Sequence, residues 1–176
     1  MTVNTIRSYD YDGYYGTKVI SFSFEKLKNT HIYGMAFYAG RGDEQEKTDA
    51  IRGAYKEIFV FVDKESVQTE SFSSYFENAN IYYTTFCSED RETLEHLYKK
   101  NRYFTYILFS PSAQKAGLNS KMGYNCAVPF DKIDASQIEK EHEKNHYYCA
   151  YGVDSAEQYD ACKNMKVDFV FVTDSY

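Results

Sequence analysis

The feature that most constrains the fold of this chain is a regular alternation of apolar runs with polar segments. About eight runs rich in β-branched and aromatic residues have the length of β-strands, and polar segments separate them. The runs occupy residues 18–24, 31–39, 57–62, 80–86, 102–109, 124–130, 146–151 and 167–172. Because strands that alternate with helices form βαβ units, this alternation predicts a parallel sheet covered by helices.

Helix-boundary signals in the polar segments support this interpretation. Ser88 is the predicted N-cap of one helix, and Asp134 and Asp154 are the predicted N-caps of two later ones. Weaker helical patterns occupy residues 43–56, 65–78 and 110–123. Residues 25–30, between the first two runs, are too few for more than one helical turn. They form either a tight hairpin or a reduced crossover.

Two architectures fit a series of βα units. About eight units favour a closed (β/α)8 barrel, whereas an open doubly wound sheet usually has fewer strands. The chain has 176 residues, which is about 22 per unit, against ~250 residues in a typical barrel. We therefore expect a miniature (β/α)8 TIM-like barrel with short loops, and an open doubly wound α/β sheet is the alternative. Residues 1–16 are expected to form an irregular arm and residues 17–176 a single barrel domain.

Composition and charge exclude several classes of function. The net charge of −6 argues against a nucleic-acid partner, because proteins that bind a phosphate backbone present a basic patch. No apolar run approaches the roughly 18 residues of a membrane span, and residues 1–16 lack the apolar core of a signal peptide. The cysteines form no C-x-x-C pair, which argues against zinc and predicts reduced thiols. These observations predict a cytoplasmic protein.

Tyrosine is unusually abundant. The chain has 19 Tyr and 13 Phe but no Trp, and each tyrosine hydroxyl needs a hydrogen-bond partner or water. A coding bias that fills core and surface with tyrosine explains this composition, and a tyrosine-rich contact surface for a sugar or a protein is the alternative.

The final segment of the chain resembles the end of a known enzyme family. It reads HYYCAYGVDSAEQYDACKNMKVDFVFVTDSY (146–176), and the matching residues are Val153 to Glu157, Val167, Asp168, Val172, Thr173 and Asp174. A strand, a capped helix and a strand that ends in Thr-Asp are similar to the end of the glycerophosphodiester phosphodiesterases, which belong to the phospholipase-C-like phosphodiesterase barrels. KVISFSFEKL (18–27) resembles another strand motif of that family. The resemblance implies a barrel fold and phosphodiester chemistry.

The catalytic motifs that this resemblance implies are absent. The family carries an HRG strand and an E-x-D pair, which supply a catalytic His, an Arg and metal-binding carboxylates. The nearest fragment here is GRGDE (40–44). His31 and His146 begin predicted strands, at the end of a barrel opposite to its active site, and His96 and His142 fall within predicted helices. We therefore interpret the inherited catalytic apparatus as lost.

Residues just past the predicted strand ends are the remaining candidates for chemistry, because barrel enzymes place their active sites there. Asp63 and Lys64 follow the most apolar run, and a Lys beside an Asp can bind an anion. Together with Asp174, which follows the last run, they are the candidate catalytic residues. Helix caps and solvated turns are the alternative role for such carboxylates.

Other residues at the predicted strand ends are candidates for binding. Carboxylate oxygens there could hold Mg²⁺ or Ca²⁺, although no resident cofactor is expected. The binding candidates are Arg41, Ser110 and Asp131, and the metal-ligand candidates are Glu25, Asp43 and Asp63.

Two functions from different classes follow. The first is a degenerate phosphodiesterase-like barrel without catalysis, which acts as a binding or assembly module for a protein or a small phosphodiester ligand. The second is a small metal-dependent glycerophosphodiester hydrolase that uses carboxylates at the strand C-terminal ends.

Overall fold

Eight parallel strands close into a barrel in the computed structural model of the chain, which describes residues 16–22, 32–120 and 124–172, without the side chains of 117–120. The strands are β1 (Lys18–Ser21), β2 (Gly34–Tyr38), β3 (Glu57–Phe61), β4 (Thr84–Ser88), β5 (Thr105–Phe109), β6 (Asn125–Pro129), β7 (Tyr148–Tyr151) and β8 (Phe169–Val172). The helices are α1 (Glu44–Arg52), α2 (Glu70–Asn78), α3 (Arg91–Lys100), α4 (Ala113–Ser120), α5 (Ala135–Glu143) and α6 (Ala156–Asn164). The expected small (β/α)8 barrel is confirmed.

Parallel pairing between the first and last strands closes the sheet. β1 pairs with β8 from Lys18 opposite Phe169 to Ser21 opposite Val172. β1 also pairs with β2 in parallel, so the two strands run in the same direction and the hairpin interpretation of residues 25–30 is wrong. Those residues, like most of the expected N-terminal arm, lie outside the described part of the chain. The open-sheet alternative is also wrong, because a closed barrel has no edge strand.

The side chains of each strand alternate between two apolar layers. Phe59 of β3 points into the barrel, where its ring lies 5.4 Å from the rings of Phe169 and Phe171 on β8. Its neighbours Ile58 and Val60 belong to a second buried cluster, together with residues of α1, α2 and α3. The barrel interior is therefore filled by side chains, as in larger barrels of this type.

Gly34 shows how narrow the interior is. A Cβ atom at this position would lie 2.8 Å from the carbonyl oxygen of Glu57 and 3.0 Å from the ring of Phe59. A larger residue would displace β3, so the close approach of the two strands requires glycine here.

Side-chain caps begin most of the described helices. The caps of α2, α3, α5 and α6 are Thr69, Asp90, Asp134 and Ser155. The predicted cap at Asp134 is therefore confirmed, and those predicted at Ser88 and Asp154 are wrong. Ser88 is the last residue of β4 and donates its hydroxyl hydrogen bond to the carbonyl oxygen of Val62. Asp154 lies one residue before the hydroxyl that caps α6.

The described helices are short. They contain eight to ten residues, as expected for a barrel with about 22 residues in each unit. None of them is long and apolar enough to cross a membrane.

All four cysteines are free and buried, namely Cys87, Cys126, Cys149 and Cys162. Burial raises the pKa of the Cys87 thiol well above its ordinary value, so this residue is a poor nucleophile despite its place before a helix N-terminus. The prediction of reduced, buried thiols agrees with this arrangement.

Candidate functional site

Aromatic side chains occupy the C-terminal end of the barrel, where barrel enzymes carry their active sites. Each side chain lies at, or next to, the last residue of its strand, and alternation along the strand turns it inward. We call this group the aromatic plug. Its members are Phe22, Tyr38, Phe61, Phe109, Tyr151 and Phe171.

Phe61 is the centre of the aromatic plug. Its ring centroid lies 4.9 Å from that of Phe22, 5.4 Å from Tyr38, 4.8 Å from Phe109 and 6.0 Å from Phe171. These separations and the tilted or edge-on ring planes are those of packed aromatic pairs. The rings therefore form one contiguous apolar surface across the strand ends.

The inner rings of the aromatic plug are buried, and its outer surface is exposed to solvent. Tyr38 is 59% exposed, whereas Phe61 and Phe171 are buried. Tyr151, beside Phe109 at a ring distance of 5.2 Å, donates a hydrogen bond to the carbonyl oxygen of Ser110 at 3.3 Å. Partial burial raises the pKa of its hydroxyl. The outer surface of the plug is thus an aromatic face that a ligand or a partner can contact.

Asp63 and Lys64 do not act on one another or on a shared site. The Asp63 carboxylate accepts hydrogen bonds from the backbone N–H groups of Ser66 at 2.7 Å and Glu65 at 3.1 Å, and these donors lower its pKa. Lys64 points elsewhere, to the Glu92 carboxylate at 3.1 Å and the Asp90 carboxylate at 3.9 Å. Asp63 is therefore a turn former in this structure, and Lys64 is half of an exposed ion pair.

The remaining predicted site residues are dispersed around the rim. Arg41 is exposed between Gly40 and Gly42, both of which have positive φ. Asp43 pairs with Lys47 at 3.0 Å. Residues 40–43 belong to the turn from β2 into α1. Among the described residues, no hydrogen bond or ion pair joins Arg41 or Asp43 to Asp63.

Ser110 and Asp131 have separate environments. Ser110 is buried, and its backbone N–H donates to the carbonyl oxygen of Ala127 at 2.7 Å. Asp131 is exposed and pairs with Lys132 at 3.2 Å. Glu25 and Asp174 lie outside the described residues. The site assignments made from the sequence therefore stay predictions.

No group of three or more His, Cys, Asp or Glu side chains in the described ranges could hold a metal ion. Of the candidate ligands, Asp43 binds a lysine and Asp63 binds backbone N–H groups. A hard divalent cation needs several oxygen ligands around one point. The described carboxylates do not provide that geometry for Mg²⁺ or Ca²⁺.

Buried ionisable groups lie instead at the N-terminal end of the barrel interior. Tyr33 donates a hydrogen bond to the Glu57 carboxylate at 2.9 Å, and Lys18, only 1% exposed, places its ammonium 4.5 Å from the Tyr33 ring centroid. Burial raises the pKa of Glu57, and the Lys18 charge and the Tyr33 hydrogen bond partly oppose that shift. Glu57 also borders a cavity of about 100 Å³ lined by Thr85, Thr105 and other residues.

Asp168, which belongs to the sequence resemblance, also lies at this end. Its buried carboxylate accepts a hydrogen bond from the backbone N–H of Tyr148 at 2.6 Å and contacts His142 Nε2 at 3.0 Å. The residue joins β7, β8 and α5, and is remote from the C-terminal ends of the strands.

Solved structures of phosphodiesterases have this arrangement of strands. A glycerophosphoryl diester phosphodiesterase of Parabacteroides distasonis matches with a TM-score of 0.54 and 15% identity over 72% of this chain and 50% of its own. An Oleispira antarctica phosphodiesterase, solved with its product sn-glycerol-3-phosphate, matches with 0.54 and 11% over 65% and 50%. A Silicibacter pomeroyi protein assigned the same activity matches with 0.58 and 10% over 74% and 51%. The chain has the glycerophosphodiester phosphodiesterase fold.

The likeness is one of fold. The chain spans about half the length of these structures. No protein-family model matches its sequence, and no curated protein does so either. The barrel that the sequence resemblance implies is thus present as a fold. At these sequence identities, the functions of individual residues cannot be transferred to this chain.

The aromatic plug is the feature that sequence reasoning missed. Its signal was present, because the runs of β2, β3, β5, β7 and β8 all have an aromatic residue in the last or second-to-last position. The polar candidates lie just after the strand ends, whereas the inward-facing rings lie at the ends themselves.

Proposed function

We propose that this protein is a phosphodiesterase-fold barrel without catalysis, which acts as a binding or assembly module through its C-terminal face. The observation that carries the proposal is the aromatic plug. Barrel enzymes place catalytic groups at this end, and here packed aromatic rings lie at the corresponding strand ends. The phenylalanine rings of the plug offer contact area but neither transfer protons nor bind a metal ion, and the hydroxyl of Tyr151 is engaged with the carbonyl oxygen of Ser110.

The positions of the histidines support this proposal. General acid–base catalysis needs a titratable side chain within hydrogen-bond reach of the reacting group. In the described part of the chain, His96 lies within α3, His142 lies within α5, and His146 precedes β7. A two-histidine mechanism at the C-terminal end therefore has no support from these residues.

The proposed partner is a protein or a small phosphodiester ligand, and the proposed location is the cytoplasm. Free thiols persist in reducing compartments, and all four cysteines are free. The exposed ring of Tyr38 in the aromatic plug supports contact with another molecule, since tyrosine is enriched at protein interfaces.

A metal-dependent glycerophosphodiester hydrolase is the second candidate. It is favoured by acidic side chains at the C-terminal end, such as the exposed Asp63 and Glu89, and by the likeness of the fold to that of phosphodiesterases. This candidate requires Asp63 to leave its backbone hydrogen bonds and to bind a cation.

Turnover and metal binding separate the two candidates. The purified chain is assayed for hydrolysis of a glycerophosphodiester with Mg²⁺ and with Ca²⁺, and the Oleispira antarctica enzyme serves as the positive control. Asp63→Ala is compared with Asp160→Ala, a matched change of an exposed aspartate on α6. We expect no turnover in any of the three chains. Turnover by the wild-type chain that Asp63→Ala abolishes and Asp160→Ala preserves would overturn the proposal. If calorimetry detects no metal binding at millimolar metal, the hydrolase candidate is eliminated.

A further inference from the structure

Exposed charges are segregated along the barrel axis. At the C-terminal end, most cations are paired with acids: Lys47 with Asp43, Lys64 with Glu92, and Lys132 with Asp131. Arg41 is a further exposed cation at this end. Further exposed acids at this end are Asp63, Glu65, Glu89 and Asp154. The C-terminal face is therefore an acidic rim around the aromatic plug.

The N-terminal end has the opposite character. Two exposed cations at this end are paired, Lys144 with Glu141 and Lys163 with Asp160. The other exposed cations are Arg52, Lys56, Lys99, Lys100, Arg102 and Lys166. Within the described ranges, no carboxylate forms an ion pair with any of them. Glu77 and Glu143 are the other exposed acids near this end, so positive charge prevails on the N-terminal face.

Tyrosine rings accompany these cations. Tyr82 is 87% exposed and Tyr103 is 68% exposed, and the Arg102 guanidinium lies 5.4 Å from the Tyr103 ring centroid. Lys99 and Lys100 belong to the same surface, where residues 98–103 line a concavity of about 490 Å³. Tyrosine and arginine are the residues that most often carry binding energy at protein interfaces.

Helix-end electrostatics explains only part of this pattern. Acids in the first turn and bases in the last turn stabilise a helix by offsetting its dipole, which accounts for Lys99 and Lys100 at the end of α3. It does not account for Arg102, Tyr103 and Tyr82, which lie in loops beyond the helix ends. A basic, concave surface with exposed rings on those loops requires another reason.

We infer that the N-terminal face of one copy binds the C-terminal face of a second copy of this chain, head to tail. Charge complementarity selects this occupant, because the acidic rim of one copy attracts the basic N-terminal face of another. Both faces also present exposed tyrosine rings, and the one at the acidic rim is Tyr38. The inference rests on the proposed function, since stacking covers the C-terminal end that an enzyme would need open. A head-to-tail contact is heterologous and produces an open chain or a ring of copies.

Sedimentation velocity at two salt concentrations tests the association. Screening lengths fall from roughly 30 Å at about 0.01 M salt to roughly 3 Å at about 1 M. We expect the wild-type chain to form species larger than a dimer at low salt as its concentration rises, and to dissociate at high salt. A wild-type chain that stays monomeric at low salt over the whole accessible concentration range would overturn the inference.

Two charge-reversal variants separate the faces. The N-face variant carries Lys100→Glu and Arg102→Glu, and the C-face variant carries Glu89→Lys and Asp154→Lys. All four side chains are exposed. The control carries Asp49→Lys and Lys140→Glu, which reverse the same number of exposed charges in the middle of α1 and α5. We expect each face variant to lose self-association and the control to keep it.

Mixing the two face variants gives the decisive result. The N-face variant keeps an intact C-terminal face and the C-face variant an intact N-terminal face, so an equimolar mixture should form a one-to-one dimer and nothing larger. Two monomers in the mixture, or association of either variant alone, would overturn the head-to-tail contact. If the mixture does not dimerise and no phosphodiester turnover is found, only the head-to-tail contact is rejected. Phosphodiester turnover would reject the proposed function itself.

Discussion

At the scale of single residues, Phe61 connects the fold to the proposed function. It ends β3, and its ring contacts Phe22, Tyr38, Phe109 and Phe171. The same contacts that fill the core therefore also occupy the strand ends where a barrel enzyme would bind substrate. Core packing and the occupied strand ends on which the proposed function rests therefore have a common physical origin at this position.

Replacing Phe61 with alanine tests this packing. Phe→Ala changes in a core cost about 3–5 kcal/mol, since transfer free energy is lost and a cavity remains. We expect a loss of that size in the free energy of unfolding, measured by urea denaturation. Tyr82→Ala removes a ring that is 87% exposed and should change stability by no more than about 0.5 kcal/mol. Equal effects of the two substitutions would show that Phe61 is not a packed core residue.

At the scale of elements, the helix caps show what the sequence could and could not predict. The strands were predictable because seven of the eight lie within a largely apolar run, as expected for strands covered on both faces. Cap positions were harder, because several adjacent residues can accept the same backbone hydrogen bond. Before α3, Ser88 was the predicted cap, but β4 extends to Ser88 and the carboxylate of Asp90 caps the helix instead.

Asp90 predicts a specific dependence of stability on pH. Its carboxylate accepts hydrogen bonds from the hydroxyl and the backbone N–H of Thr93, and the hydroxyl donor is the main cause of its lowered pKa. The folded pKa lies below the unfolded value of about 3.9, so the ionised Asp90 carboxylate stabilises the folded state when the pH is above that unfolded value. This stabilisation is lost as the pH falls through the folded pKa. Asp90→Asn keeps a capping oxygen but removes the titration.

Thermal unfolding of the wild type and Asp90→Asn measures this effect. We expect the wild type to be more stable at pH 7 and the difference to shrink as the pH falls below about 4. Asp160→Asn, which caps no helix, is the matched control and should differ from the wild type by less than about 0.5 kcal/mol. A difference for Asp90→Asn that grows with acid would contradict the assigned cap.

The candidate site was less predictable than the strands and helices, because the direction of a side chain, like the choice of a helix cap, depends on local hydrogen bonds. The position of Asp63 and Lys64 after β3 followed from the apolar run, but the direction of each side chain depends on local hydrogen bonds. Backbone N–H groups of residues 65 and 66 hold the Asp63 carboxylate, and Glu92 on α3 holds Lys64. Neither partner is encoded in the spacing of Asp63 and Lys64.

At the scale of the whole molecule, the barrel depends on β8 for closure. This strand pairs with β1 on one side and with β7 on the other, and all four of its residues are buried. Unpaired strand edges expose backbone groups and apolar surface. A barrel of this size therefore has no alternative way to complete its core.

Deletion of residues 167–176 tests this dependence. We expect the truncated chain to lose its cooperative thermal transition and to expose its thiols, since Cys149 pairs across to Phe169. The intact chain is the control, and none of its four buried thiols should react with a thiol reagent until it is unfolded. A truncated chain that unfolds cooperatively and protects its thiols would contradict the role assigned to β8.

The most direct test of the account is an NMR titration of the protein with sn-glycerol-3-phosphate. The ligand is the product bound to the Oleispira antarctica phosphodiesterase, so it reports whether the C-terminal end of this barrel binds that product. With the aromatic plug at the strand ends, we predict no saturable shift of the backbone amides of Phe61, Ser88 and Ser110. Saturable shifts confined to those amides would contradict the plug as a closed protein-binding face and would show that this end of the barrel binds a small phosphate ester.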